Sequence, residues 1–165
     1  METTLRLFNL DDLEKVVEFA NNPKIAENLL DVFPHPYTIA DGNTFLNRAM
    51  SGDPIQVFAI CFNDEFCGAI GIHPQEDIFR KNAELGYWIA EPFWGKRITS
   101  KAVKLMCDYG FENFDISRIF ARPFGHNTAS KKVLENAGFE HEATLSKTIF
   151  KNGEYCDELF YAIRK

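Results

Sequence analysis

An α+β sandwich, one sheet carrying helices on both faces, is the fold class that this chain of 165 residues predicts. Three observations carry that expectation. Runs with period-two alternation fill the middle of the chain and its last quarter, and amphipathic helical stripes precede and separate them. No linker, internal repeat or low-complexity stretch interrupts the order, so residues 1–165 read as one domain.

The elements follow in order. Asn9 fits a helix N-cap with Asp12 three residues on, and Leu13, Val16, Val17 and Ala20 form an i, i+3, i+4, i+7 stripe that Pro23 ends. After the loop "DVFPHPYT", Thr38 and Asp41 form a second capping box for a helix that turns Phe45, Leu46, Ala49 and Met50 inward. "QVFAICF" and "FCGAIGIH" predict a hairpin about Asn63, Asp64 and Glu65. In "AELGYWIA", Ala83, Leu85, Tyr87 and Ile89 share one face, and Glu84, Gly86, Trp88 and Ala90 share the other. "SKAVKLMCDYGFENF" predicts a buried helix, "SRIFARPF" a strand, and "NTASKKVLENAGF" a helix closed by Gly138 as a left-handed C′ residue with Phe139 as its apolar contact. The last two strands meet at Asn152-Gly153, the dipeptide best suited to a two-residue hairpin turn.

Eighteen basic and twenty-four acidic residues give a formal charge of −6, the wrong sign for gripping nucleic acid. The absence of a basic leader or a long apolar run predicts a cytoplasmic protein with no membrane partner. Cys61, Cys67, Cys107 and Cys156 match no zinc spacing and read as reduced thiols, although Cys61 and Cys67 flank Asp64 closely enough for a cross-strand disulfide to be conceivable. No motif points to a metal.

The strand end "EPFWGKRITSKAV" carries the chemistry. Gly95-Lys96 imitates a nucleotide-binding P-loop, but Arg97 stands where Ser or Thr is needed and Ala90 where the first glycine is needed. A strand-to-helix turn still presents unpaired N–H groups and a positive dipole end to an anion. Arg97, Lys101 and Lys104, spaced i, i+4, i+7, add a cationic edge; a merely solvated helix face is the alternative.

Together "LRLFNLDDLEKVVEFANNPKIAENL", "FPHPYTIADGNTFL", "AELGYWIAEPFWGKRITSKAV" and "HNTASKKVLENAGFEHEA" resemble the GCN5-related N-acetyltransferase (GNAT) superfamily, and within it the RimJ/RimL-like branch. The resemblance implies a mixed, mostly antiparallel sheet of about seven strands, opened so that acetyl-CoA lies between two splayed strands. It implies that backbone of Trp88, Ile89 and Ala90 pairs with pantetheine, and that the N–H groups of Gly95, Lys96, Arg97, Ile98, Thr99, Ser100 and Lys101 meet the phosphates. Asn127 would bond pantetheine, hold the gap open or simply cap its helix. The activity implied is acetyl transfer from acetyl-CoA to a primary amine, a peptide N-terminus or a small molecule, in a monomer or homodimer. Glu84 would be the base, with a structural ion pair to Arg80 or another cation as its alternative role, and Ser130 would protonate the leaving thiolate. A strand N–H near Trp88 or Ile89 would meet the oxyanion. Phe33, His35 and Tyr37 would wall the acceptor site, and Glu76 and Asp77 would draw the amine in.

Two positions depart from the family pattern. Leu134 occupies the place where many members carry a tyrosine acid, and Trp94, Arg97 and Thr99 fall on the loop pattern Q/R-x-x-G-x-G/A. They keep open a second possibility, a catalytically degenerate module that binds coenzyme A without turnover.

Overall fold

The structure, a computed structural model describing residues 1–165, contains seven strands in the order β1-β2-β3-β4-β5-β7-β6. β1 (Thr3–Arg6), β2 (Val57–Phe62), β3 (Glu65–Pro74) and β4 (Asn82–Ile89) form an antiparallel half. β5 (Arg118–Ala121), β6 (Glu140–Lys151) and β7 (Glu154–Arg164) form a second one. A single parallel pairing, β4 with β5, joins the halves, and it spans only Asn82–Glu84 against Arg118–Phe120.

The local signals act as expected. The Asn9 side chain accepts from the Asp11 N–H, and the Asp12 carboxylate accepts from the Asn9 N–H, in a short 3-10 turn (Leu10–Asp12) that feeds α1 (Leu13–Ala20). Thr38 and Asp41 complete the reciprocal box at the start of α3 (Ile39–Ala49). Pro23 does stop α1, but it also opens a one-turn helix, α2 (Pro23–Ala26), at the position where its missing N–H costs nothing. Asn63 and Asp64, and again Asn152 and Gly153, have φ between 50° and 80°, so both hairpins close on two residues and Glu65 belongs to the strand rather than the turn. At the end of α5 (Thr128–Asn136), Gly138 has φ 95°; its N–H donates to Glu135 and that of Phe139 to Leu134, the paired bonds of a left-handed helix stop.

Two cores sandwich the sheet. One packs Ile70, Ile72, Leu85 and Ile119 against Val103 and Met106 of α4 (Ile98–Asn113) and Leu134 of α5; the other packs Ala59, Ala69 and Trp88 against Val16 and Ala20 of α1 and Leu46 and Ala49 of α3. β3 is buried from Phe66 to Ile72 because it has helices over both faces. All four cysteines are free. A register shift after Ile60 sets Cys61 opposite Phe66, and the Cys67 thiol donates instead to the Ile60 carbonyl at 3.4 Å; burial pushes that thiol up to about 12. No helix is long and apolar enough to cross a membrane.

Asp12 ties the first turn to β1, since Arg6 donates to both of its carboxylate oxygens, at 2.7 and 2.8 Å. Burial pushes the Asp12 carboxyl up, but the Arg6 guanidinium and the Asn9 N–H outweigh it, and the group ends below the usual carboxylate range. A carboxylate depressed on folding stabilises the protein above its unfolded range, and that contribution is lost as pH falls through the lowered value. Asp12→Asn should therefore cost about 1 to 3 kcal/mol at pH 7. Urea denaturation of both proteins at pH 7 and pH 3 should show the gap closing at the lower pH.

Candidate active site

β4 is where the sheet becomes a site. The bonds from Gln75 N–H to the Asn82 carbonyl and from Ala90 N–H to the Cys67 carbonyl bracket an unshifted antiparallel register. Alternation then aims the backbone of Asn82, Glu84, Gly86, Trp88 and Ala90 at β3, and that of Tyr87 and Ile89 at the far side. On that far side β5 has already parted company, its last partner being Glu84 opposite Phe120. The Tyr87 and Ile89 backbone thus faces an opening in the sheet. Of the three residues expected to offer backbone there, only Ile89 does, and its carbonyl accepts from the Trp94 indole N–H at 2.8 Å. Trp88 is turned to β3, and both polar groups of Ala90 are used, the carbonyl by Phe93. Tyr87 is the residue that the alternation pattern in the sequence did not reveal as a backbone donor, because strand parity is set by pairing.

A cavity of about 880 Å³ runs through this opening. Its helix-side end is lined by Trp94, Gly95, Thr99, Asn127, Ser130 and Val133. The chain from Gly95 to Ser100 carries six successive backbone N–H groups with no protein acceptor. This is a cradle for an anion at the positive end of a 16-residue helix. Gly95 has φ 75° and Arg97, a non-glycine, has φ 60°, so the loop winds left-handed twice before α4 begins at Ile98, two residues ahead of the helix expected from the sequence. The side chains differ in what they can contribute: Ile98 is buried core, Lys96 lies over the Phe93 ring, and Arg97 and Lys101 are exposed with no protein partner.

At the middle of the cavity, the Asn127 side chain caps α5 by accepting from the Ser130 N–H, and the Ser130 and Tyr87 hydroxyls are 2.7 Å apart. Burial pushes the Tyr87 phenol up to about 12, with the Ser130 bond pulling against it, so the phenol stays protonated. Leu134, in the place of the family tyrosine, is fully buried core. Tyr87 and Ser130 line the cavity, and Leu134 does not.

The other end of the cavity is a trough on β3 and β4. Three cross-strand pairs floor it: His73 with Glu84, Gly71 with Gly86, and Ala69 with Trp88. The two facing glycines leave bare backbone, and the His73 ring folds over Gly71, where a Cβ would lie 3.0 Å from its Nε2. Glu84 is gripped through both oxygens by Arg122, at 2.9 and 3.1 Å, and Arg122 also reaches Glu158 at 3.2 Å. Arg122, rather than Arg80, is the cation that pairs with Glu84; Arg80 bonds the Asp77 carbonyl. Loss of solvent around the ring, then the nearby Arg48 charge, push the His73 imidazole below its usual range, with Glu84 opposing, although the residue as a whole is exposed. Phe33 lines the trough as expected, against Trp88. His35 is exposed outside it, and Tyr37 is buried in the core behind Phe33, its N–H on the Asn21 side chain. Glu76 and Asp77 also lie outside it.

The fold is that of an N-acetyltransferase. The family model "Acetyltransferase (GNAT) domain" matches residues 2–140, and the chain belongs to that family and to its RimJ/RimL-like branch. It is 27% identical over 98% of its length to YdaF of Bacillus subtilis (strain 168), a protein named as a provisional ribosomal N-acetyltransferase, 91% of which is covered. The crystal structure of a GNAT-family acetyltransferase from Bacillus anthracis superposes with a TM-score of 0.85 at 25% identity, covering 99% of this chain and 95% of that one. RimL, the ribosomal L7/L12 alpha-N-protein acetyltransferase solved with coenzyme A, has the same fold at a TM-score of 0.86 and 21% identity, over 98% and 93% of the two chains.

Arg97 holds its left-handed conformation at a cost that glycine does not bear. Arg97→Gly should be about 1 kcal/mol more stable than Arg97→Ala, which keeps the strain. Thermal or urea unfolding of the two variants measures the difference, and equal stabilities would show that the loop relaxes around any side chain.

Proposed function

We propose that this N-acetyltransferase carries an acetyl group from acetyl-CoA to a primary amine by direct attack, with no acyl-enzyme intermediate. The observation that carries the proposal is the cavity passing through the sheet, with an anion cradle at one end and a polar trough at the other. Residues 95–100 would hold the pyrophosphate through backbone N–H groups, and Arg97 and Lys101, both unpaired, would add charge. The gap-facing backbone of Tyr87 and Ile89 would take the pantetheine amides. An N–H of the same pair would meet the thioester oxygen as it gains negative charge.

An amine that is mostly protonated at neutral pH must lose a proton before it attacks. We assign that proton to Glu84, through water, with Arg122 fixing the carboxylate over the trough. His73, directly opposite and kept neutral, is the competing acceptor. Ser130, bonded to the protonated Tyr87, would return a proton to the departing thiolate. YdaF and RimL, by their names, support a peptide N-terminus as acceptor; small amines fit the same chemistry.

Acetyl-CoA at a hundredfold its dissociation constant should stabilise the protein by about 2.7 kcal/mol, visible as a rise in Tm. Free acetate should have no effect. Thiol release with a panel of amines and peptides tests turnover; binding without release from any acceptor would mark a degenerate module. Glu84→Gln should bind acetyl-CoA normally but turn over roughly 10² to 10⁴ times more slowly at pH 7, the deficit shrinking at alkaline pH where the amine deprotonates unaided. Full activity in Glu84→Gln together with its loss in His73→Gln would move the base to His73. Arg97→Ala should weaken acetyl-CoA by about 1.5 to 3 kcal/mol, and calorimetric titration would show it.

A further inference from the structure

One side chain stands in the slot assigned above to pantetheine. The Ile89 carbonyl faces the gap past the end of the β4–β5 pairing, and the Trp94 indole N–H donates to it at 2.8 Å. A strand carbonyl with no partner strand costs free energy unless some donor reaches it, and here a side chain supplies the donor. A ligand amide laid along β4 in the manner of a strand needs the same oxygen. Trp94 has no place in the packing of the protein. Neither core includes it, and it is 43% exposed, against 9% for Trp88, the other tryptophan of the chain. It lines the cavity beside Gly95 and Thr99, at the end where the anion cradle lies. Its backbone is anchored, since the Trp94 N–H donates to the Glu91 carbonyl at 3.1 Å and the Glu91 side chain is held by Asn22 and Lys24. Just past it the chain has room: Gly95 has φ 75°, and a Cβ there would meet nothing within 4 Å. The indole can therefore leave the carbonyl by rotating about its own side-chain bonds, with no core packing to undo and no backbone bond to give up.

We propose that Trp94 is a stopper in the coenzyme slot: its indole holds the Ile89 carbonyl in the free protein and swings off it when pantetheine arrives. This rests on the acetyl-CoA reading above and adds a regulation of that site. Every ligand that lays an amide along β4 exchanges one indole–carbonyl bond for one amide–carbonyl bond, so it binds more weakly than it would to an open slot. The cradle begins at the residue after Trp94, and phosphates captured by the N–H groups of residues 95–100 hold the rest of the coenzyme against the indole. Displacement of the ring then becomes an intramolecular step for the whole coenzyme, and it is left unassisted for a pantetheine fragment without phosphates. The stopper thus satisfies the gap-facing carbonyl while no coenzyme is bound, and it favours ligands that carry both halves.

Calorimetric titration of the wild type and of Trp94→Phe reads the cost of displacing the indole. The probes are acetyl-CoA and adenosine 3′,5′-bisphosphate, which carries phosphates but no pantetheine. Trp94→Phe keeps an aromatic ring and loses only the N–H donor, and thermal unfolding verifies that it is folded. It should bind acetyl-CoA about threefold to tenfold more tightly than the wild type, the size of one neutral hydrogen bond, and adenosine bisphosphate with unchanged affinity. A second measurement uses the wild type itself. The chain has two tryptophans, so ¹⁵N NMR shows two indole N–H signals, and the one missing from Trp94→Phe belongs to Trp94. That signal should move, and its exchange with water should quicken about tenfold or more, on saturation with coenzyme A. An indole N–H as protected with coenzyme A as without it would overturn the inference. So would equal or weaker binding of acetyl-CoA by Trp94→Phe, or a gain shared by adenosine bisphosphate, which would place the effect in the phosphate cradle. The two levels separate cleanly: equal binding of acetyl-CoA by both proteins leaves the coenzyme reading intact and removes the stopper alone, whereas binding by neither removes the coenzyme reading and the stopper with it.

Discussion

Three residues of parallel pairing hold the two halves of the sheet together, and the site exists because the pairing stops there. β5 is four residues long and is followed by Arg122 and Pro123, the second of which has no N–H to offer a neighbouring strand. β4 runs on to Ile89, kept against β3 by an unbroken register. Gly68 makes that closeness possible, for a Cβ there would come within 2.3 Å of the Trp88 carbonyl. Past Glu84 the gap-facing backbone of β4 has no strand beside it, and on that side the Ile89 carbonyl accepts from the Trp94 indole instead. The separation also lets the cavity reach residues on both faces of the sheet.

Electrostatics divides the same cavity into unlike ends. At the head of α4 there are free N–H groups, a positive dipole end and no acidic residue in the first turn, in a chain whose overall charge is −6. The trough holds mixed charge, mostly paired, and those pairs are partly exposed, so they contribute orientation more than stability. Arg122 is the centre of this half: it draws Glu84 of β4 and Glu158 of β7 toward a common point and thereby bridges the strands on either side of β5.

Much of the fold was legible in the residues themselves. Capping boxes at Asn9 and Thr38, the left-handed stop at Gly138 and the turn at Asn152-Gly153 act within a few residues, and their hydrogen bonds form wherever that local chain is helical or paired. Glu84, Ser130 and Asn127, singled out from the sequence, all line the cavity. His35 and Tyr37 illustrate the opposite case. A loop rich in aromatic and imidazole rings says that something will be lined by them, but which ring faces the trough depends on how α1 and α3 seat the loop, and only Phe33 was turned inward.

What the sequence by itself determined is most of the elements, though not β1 or α2, with their caps and turns, the alternation of faces along β4 and the family to which these segments belong. Only the tertiary structure decided which edge of β4 was left unpaired, and so that Tyr87 and Ile89, rather than Trp88 and Ala90, face the gap. It likewise decided that Glu84 meets Arg122 thirty-eight residues on and that Tyr87 meets Ser130 forty-three residues on. The physical reason is one of range: a cap or turn is closed by atoms a few bonds apart along the chain, whereas pairing edge, ion partner and exposure are set by what the folded sheet and helices bring to the same place.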